Sequence, residues 1–216
     1  KGPDGPSIQE AAPEVAPALV QVPKGKRLTF ENSVVRGEIS QAGGRIAALS
    51  FLKHLDQLPP EGQPIRYLDQ DAREFFFGET GFLGTSDVTT PTRETSWRVA
   101  GSESLDGAGD LRLTWNNSQG ITFEKTYSLE KDSYLFTVTD RIINNTGKQI
   151  SLYHFAQFVR IEPVAPEGQQ VMAIADFEGP MGFLDDARVQ HAYSDLKEAD
   201  QRQKATTGWA GISDKF

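Results

Sequence analysis

The run from Ile150 to Val159 carries apolar side chains on both of its faces. Successive side chains of an extended strand point to opposite sides. Leu152, Ala156 and Phe158 therefore share one face, and Tyr153, Phe155 and Val159 share the other. A strand that is apolar on both sides has to be covered on both, which a single open sheet cannot do. The expected answer is stacked sheets. The preceding residues keep the same period of two. Ile121, Phe123, Tyr127 and Leu129 fall on one face of a strand, and Glu130 to Ser133 reverses the chain. Tyr134, Phe136, Val138 and Ile142 share a face of the next strand, and Asn144-Asn145-Thr146-Gly147 turns again.

Shorter signals repeat the theme upstream. Val35, Gly37 and Ile39 alternate with polar neighbours, Ala42-Gly43-Gly44 supplies a turn, and Ala47, Leu49 and Phe51 resume the period, which predicts a hairpin. Leu55 to Gln63 is broken by Pro59-Pro60 and reads as loop. Arg73 to Phe77 is a short apolar run, Trp97-Arg98-Val99 opens another strand, and Leu111, Leu113 and Trp115 alternate cleanly. Beyond Val159 the pattern thins. Val171 to Phe177 could add one strand, and Ser194 to Ala205, with Ser194 as N-cap, is the single helix candidate. Residues 1–25, with Pro3, Pro6, Pro13, Pro17 and Pro23 among Ala, Glu and Gln, read as a flexible tether. The expected division is a tether over 1–25, a β domain over 26–205 and a C-terminal segment over 206–216.

Composition removes whole classes of function. The chain of 216 residues has no Cys, which excludes thiol nucleophiles, thiolate zinc sites and iron–sulfur clusters. Its net charge of −8 disfavours gripping nucleic acid or anionic lipid. No apolar run approaches the roughly 20 residues that cross a bilayer. Among His54, His154 and His191, none has metal-helix spacing. His154, inside an apolar strand, is the one to weigh as an acid–base group, against the plainer reading of a half-buried histidine with a hydrogen-bond partner. Asp69-Gln70-Asp71 and Asp185-Asp186 lack the spacing of a calcium loop. No nucleophile elbow, phosphate loop or dinucleotide fingerprint is present, so no catalytic residue, metal or cofactor is expected. Lys125 and Asp140 interrupt otherwise apolar registers on consecutive strands. With Leu129 set opposite Tyr134, they become diagonal neighbours, expected to compensate each other structurally.

Several blocks, in order, carry a family resemblance. Val34 to Leu52 resembles the opening hairpin of the large periplasmic domain of the bacterial membrane protein insertase family YidC. Gly120-Ile121-Thr122-Phe123-Glu124-Lys125-Thr126-Tyr127 is similar to that family's central Gly-x-Thr-Phe-x-Lys strand, and Tyr134 to Asn145 to its next strand. The terminal Gly208-Trp209-Ala210-Gly211-Ile212-Ser213-Asp214-Lys215-Phe216 resembles the Gly-Trp block that leads into the membrane-embedded part. The likeness runs through most of residues 26–216, although the region between the first hairpin and Trp97 looks shorter than usual.

The resemblance implies an all-β, mainly antiparallel supersandwich similar to the galactose-mutarotase-like fold, with a short C-terminal helix. It also implies a periplasmic location at the inner membrane, with a transmembrane helix before residue 1 and others after Phe216. The implied role is non-enzymatic assistance of membrane-protein insertion, with Sec translocon components and nascent membrane proteins as partners. Gly208, Trp209, Asp214 and Phe216 would form the segment coupling the domain to the membrane part, with Trp209 packed on the sandwich. The rival reading is a carbohydrate-binding or mutarotase-like enzyme, since such sandwiches often hold sugar in a cleft. His154 is its only candidate acid, and no Glu partner can be assigned. A third reading is a chaperone-like groove for extended peptide, which an exposed strand edge or an apolar cleft would favour.

Overall fold

The computed structural model of the chain describes residues 25–72, 76–85, 87–106, 109–160, 179–193, 196 and 203–213. Fourteen strands run through them in the order β1 (Arg27–Glu31), β2 (Val35–Ser40), β3 (Arg45–Leu55), β4 (Pro64–Asp69), β5 (Phe76–Leu83), β6 (Arg98–Val99), β7 (Ser104–Leu105), β8 (Leu111–Asn116), β9 (Ile121–Leu129), β10 (Phe136–Asn144), β11 (Tyr153–Arg160), β12 (Gly179–Leu184), β13 (Ala187–Gln190) and β14 (Gly208–Ser213). They form three sheets. One runs β11-β5-β3-β2-β1-β7 with β4 also on β3, one runs β10-β9-β8-β6, and a small one runs β13-β12-β14. Every pairing is antiparallel except β1 with β7. The fold is all-β and layered, as the alternation predicted.

The two larger sheets face each other across one core. Leu28, Phe30, Val35, Ile39 and Leu49 come from the first, and Leu111, Leu113, Ile121, Phe123 and Tyr127 from the second. Ring contacts cross the gap: Phe30 meets Phe136 edge-on at 4.9 Å, and Phe82 meets Phe123 at 5.7 Å. Burial holds the Tyr127 phenol well above its ordinary pKa. It stays neutral and donates to the Gly44 carbonyl at 2.6 Å, joining the second sheet to the β2–β3 turn. That turn needs left-handed backbone, which Gly43 (φ 73°) and Gly44 (φ 57°) adopt without a Cβ penalty.

Two expectations need correction. The strand that implied stacking is not itself covered on both faces. β11 ends the first sheet among the described residues, and Phe158 is 55% exposed. The strand that carries the stacking is β9, whose inward Ile121, Phe123, Lys125, Tyr127 and Leu129 are all buried. The reversal after β9 is longer than expected, so Phe136, not Tyr134, lies opposite Leu129. This shifts the register by two residues and sets Asp140 directly across from Lys125 rather than diagonal to it. β4, β12 and β13 had no expectation at all, because their sequences lack a run of alternation. Val171 to Phe177 lies outside the described residues, as does most of the helix candidate Ser194 to Ala205.

Phe123 is fully buried between Phe82 and Trp115. Phe123→Ala is expected to lower unfolding free energy by about 3–5 kcal/mol, the usual cost of such a cavity, read from urea denaturation. A loss under about 1 kcal/mol would show that the sheets are not packed through this ring.

Candidate functional site

The sheets meet along one side through β5 and β11 on the first and β9 and β10 on the second. At the seam, Lys125 is 1% exposed. Its ammonium has three hydrogens, and three acceptors take them: Asp140 Oδ1 at 2.5 Å, Thr80 Oγ1 at 2.5 Å and the Thr80 carbonyl at 3.0 Å. The Thr80 hydroxyl donates in turn to Asp140 Oδ2 at 2.5 Å, and His154 Nε2 lies 3.0 Å from the same oxygen. Burial pushes the Asp140 carboxyl upward. The Lys125 charge, with hydrogen bonds from Lys125, Thr80 and His154, outweighs that and holds it below the carboxylate range. Burial draws the Lys125 ammonium down against the pull of Asp140. The half-exposed His154 packs on Phe82 with ring centroids 5.2 Å apart.

A second ionic cluster, which the sequence analysis did not anticipate, lies one residue along β5. Glu79 accepts from Arg93 Nε and Nη2 at 2.9 Å and from Gln157, and its other oxygen is 3.8 Å from the Arg45 guanidinium. Arg45, fully buried, also donates to Gln70 at 3.0 Å. Arg45 and Arg93 each lie 5.5 Å from the centre of the Phe77 ring. Nothing in the spacing of Arg45, Gln70, Glu79 and Arg93 marks them, since four separate segments supply them. The one available signal was Arg45 itself, a charge in the register of Ala47, Leu49 and Phe51 that alternation reads as apolar.

Beside these clusters runs a cleft of two characters. Its apolar stretch, of 410 Å³, is lined by Phe51, Tyr67, Tyr134, Phe136, Val138 and Phe158 among others. Its polar stretch, of 300 Å³, contains Lys125, Asp140 and Arg93, and Glu79, Thr80 and Gln157 border both. Glycines in β5 shape the wall. Gly78 pairs with Phe158 and Gly81 with Phe155 across the strands. A Cβ at either glycine would come within 3.0 Å of the opposing ring, so the bare backbone is what lets each ring lie across it. Beyond Phe51 and Tyr134 the apolar surface continues onto His54, Leu55, Leu58 and Pro59, with Leu58 85% exposed. Tyr134 and His54, 3.2 Å apart, clasp the β9–β10 connection to the end of β3.

The C-terminal segment is placed in part. Gly208 and Trp209 begin β14, where Trp209 lies opposite Phe183. Trp209 is 56% exposed, not packed into the sandwich, and Ile212 is the β14 residue that reaches the core. Asp214 and Phe216 lie outside the described residues.

Removing one member of a buried ion pair leaves the other uncompensated at about 3–5 kcal/mol, whereas replacing both by apolar groups costs far less. Lys125→Met is expected to destabilise by that amount, and Lys125→Met combined with Asp140→Leu by markedly less, in urea unfolding. Acid tests the same node. Because folding depresses the Asp140 pKa, its contribution is complete above the unfolded value of about 3.9 and disappears as pH falls through the folded one. The stability gap between the parent chain and Asp140→Asn should therefore stay constant near neutrality and narrow only below about pH 4. A gap that closes near pH 6 would contradict this assignment.

The chain matches the family model described as YidC periplasmic domain over residues 27–216. It is 42% identical over 200 residues to the membrane protein insertase YidC of Magnetococcus marinus, covering 92% of this chain and 35% of that protein. It is 34% identical over 191 residues to the YidC insertase of Pelagibacter ubique, with 88% and 33% covered. For that of Bradyrhizobium diazoefficiens the identity is 30% over 218 residues, with 99% and 34% covered. The chain spans about a third of the length of these relatives. A match over nearly the whole β body, joined to the layered sheets described above, means that this chain belongs to the YidC periplasmic domain family.

Proposed function

We propose that this chain is a non-enzymatic periplasmic domain that assists insertion and folding of inner-membrane proteins by contact, and that its apolar cleft receives apolar segments of nascent membrane proteins. The observation that carries the reading is the aromatic-lined cleft itself, open along Phe51, Tyr67, Tyr134 and Phe158, in a chain whose relatives are membrane protein insertases. Exposed contiguous apolar surface marks binding sites. A segment destined for the bilayer gains by leaving water for such a surface, at roughly 25 cal/mol per Å² buried. The charged groups beside the cleft are occupied with one another: the three hydrogens of Lys125 are taken, and His154 faces a carboxylate already shared with Lys125 and Thr80. That arrangement suits a rigid strut better than an acid–base pair, and so weighs against the mutarotase-like rival. Contact with Sec translocon components is the second part of the reading. The segment from Gly208 to Phe216 is its coupling element, with the exposed Trp209 and Phe183 offering an apolar pair on β14 and β12.

Photocrosslinkers placed in the full-length insertase in membranes, during synthesis of a defined membrane-protein client, test this directly. Probes at Tyr134 and Phe158 should capture the client, and a probe at Arg141, exposed on β10, should not. Equal capture at all three positions, or none at Tyr134 and Phe158, would remove client binding from the cleft. Trp209→Ala is expected to leave the unfolding midpoint of the domain nearly unchanged while slowing client insertion in the full-length protein. Unaltered insertion would end the coupling role.

A further inference from the structure

The chain enters β14 through Thr206 and Thr207, beside the tip of the β12–β13 hairpin. At that tip Asp185 (φ 46°) and Asp186 (φ 66°) both take left-handed backbone, as a tight two-residue hairpin turn requires and as Asp tolerates better than most side chains. Asp185 does more than turn. Its Oδ1 accepts from the Thr206 and Thr207 amides, each at 2.9 Å, and from the Thr207 hydroxyl at 3.3 Å, and its Oδ2 accepts from the Thr206 amide at 3.1 Å. The Asp185 amide donates in turn to the Thr207 carbonyl at 3.1 Å. The Thr207 and Thr206 amides hold the Asp185 carboxyl below the ordinary carboxylate range, so it is charged at neutral pH. Asp186, equally left-handed, makes no such side-chain bond among the described residues. The clasp closes where the β12–β14 ladder begins, with Leu184 opposite Gly208. A Cβ at Gly208 would collide with the Phe183 carbonyl, so the strands lie backbone to backbone there. The far end of β14 is held differently. Among the described residues, Ile212 is the one apolar residue of the small sheet that packs against the core. Between the two anchors Trp209 and Phe183 face each other across the ladder, 56% and 43% exposed.

We propose that Asp185 is the positioning residue of the coupling segment: its carboxylate fixes where the chain enters β14 and so holds Trp209 at a set place on the surface. This role presupposes that Gly208 to Phe216 couples the domain to the membrane part, and it names what aims that segment. An exposed strand pairing frays from its ends. Ile212 secures one end of β14 by apolar packing. Thr206, Thr207 and Gly208 at the other end are all exposed, so no buried side chain secures it. Hydrogen bonds from backbone amides to a carboxylate are the stronger kind, and those on Asp185 stand in for the missing packing. A strand freed at Thr206 would let Trp209 and the chain beyond it swing, whereas a clasped one presents both in one direction.

Two substitutions separate the clasp from the turn. Asp185→Gly keeps the left-handed backbone at no steric cost and removes the carboxylate, whereas Asp185→Asn tolerates that backbone and retains one acceptor oxygen. In the ¹⁵N-labelled 216-residue chain, the Thr206 and Thr207 amides should exchange about 10-fold faster in Asp185→Gly, the worth of a charge-assisted hydrogen bond. In Asp185→Asn they should stay within about 3-fold of the parent. The Phe123 amide, deep in β9, should be unaffected by either change. In the full-length insertase, Asp185→Gly should slow client insertion as Trp209→Ala does, and Asp185→Asn should restore most of the rate, with the urea midpoint of the domain unchanged throughout. Unchanged exchange at Thr206 and Thr207, or slowed insertion explained by a lower midpoint, would overturn the proposal. So would parental insertion in Asp185→Gly while Trp209→Ala is slow, a result that leaves the coupling reading standing. Parental insertion in both variants would end that reading and the positioning role together.

Discussion

The buried ammonium of Lys125 is the constraint around which the seam of this domain is organised. It sits on the inward face of β9, where its neighbours Phe123 and Tyr127 are core residues. A charge there is tolerable only if every proton is used and the partner charge is close. Asp140 comes from β10 in the same sheet, whereas Thr80 comes from β5 in the facing one. The hydrogen bonds that satisfy Lys125 therefore also fasten one sheet to the other. An apolar pair at these positions could fill the space, but it would not specify which residue of β5 meets which residue of β10.

This fixed point explains why the cleft has two ends. Where the polar clusters of β5 and β9 meet, the sheets are held close and the space between them is small and charged in balanced pairs. Towards Gly78 and Phe158 no ion pair among the described residues draws the edges together, and the gap is lined by rings instead. The glycines of β5 cooperate, since each leaves room for a β11 phenylalanine to lie over the backbone. Rigid polar anchoring at one end and open apolar surface at the other suit a body that works by contact. In the function proposed above, the open apolar end is where segments of client proteins dock.

Much of this was legible in order. Alternation at Ile121 to Leu129 and at Val35 to Phe51 identified strands because one face of each is buried and the other wet, the condition under which period two appears in a sequence. Lys125 and Asp140 stood out for the same reason, as charges in an apolar register. Their exact opposition was not legible, because the length of the β9–β10 connection sets the register and Tyr134 is drawn aside by His54 and Phe51. β11 misled in a physical way. Its two apolar faces reflect a cleft wall on one side and exposed rings on the other, and sequence cannot distinguish a covered ring from one that lines an open groove. Arg45, Glu79 and Arg93 gave no sign of each other, since ion pairs between distant segments leave no local pattern.

Sequence by itself determined the layered all-β class, the hairpin turn at Gly43-Gly44 and the family likeness, because these follow from local backbone preference and from repeating burial. Tertiary structure alone decided the strand order, the direct pairing of Lys125 with Asp140, the Glu79 cluster, the exposure of Trp209 and the division of the cleft into apolar and polar halves. Those features depend on which residues of distant strands come within a few ångströms, and hydrogen bonds and ion pairs act only at that range.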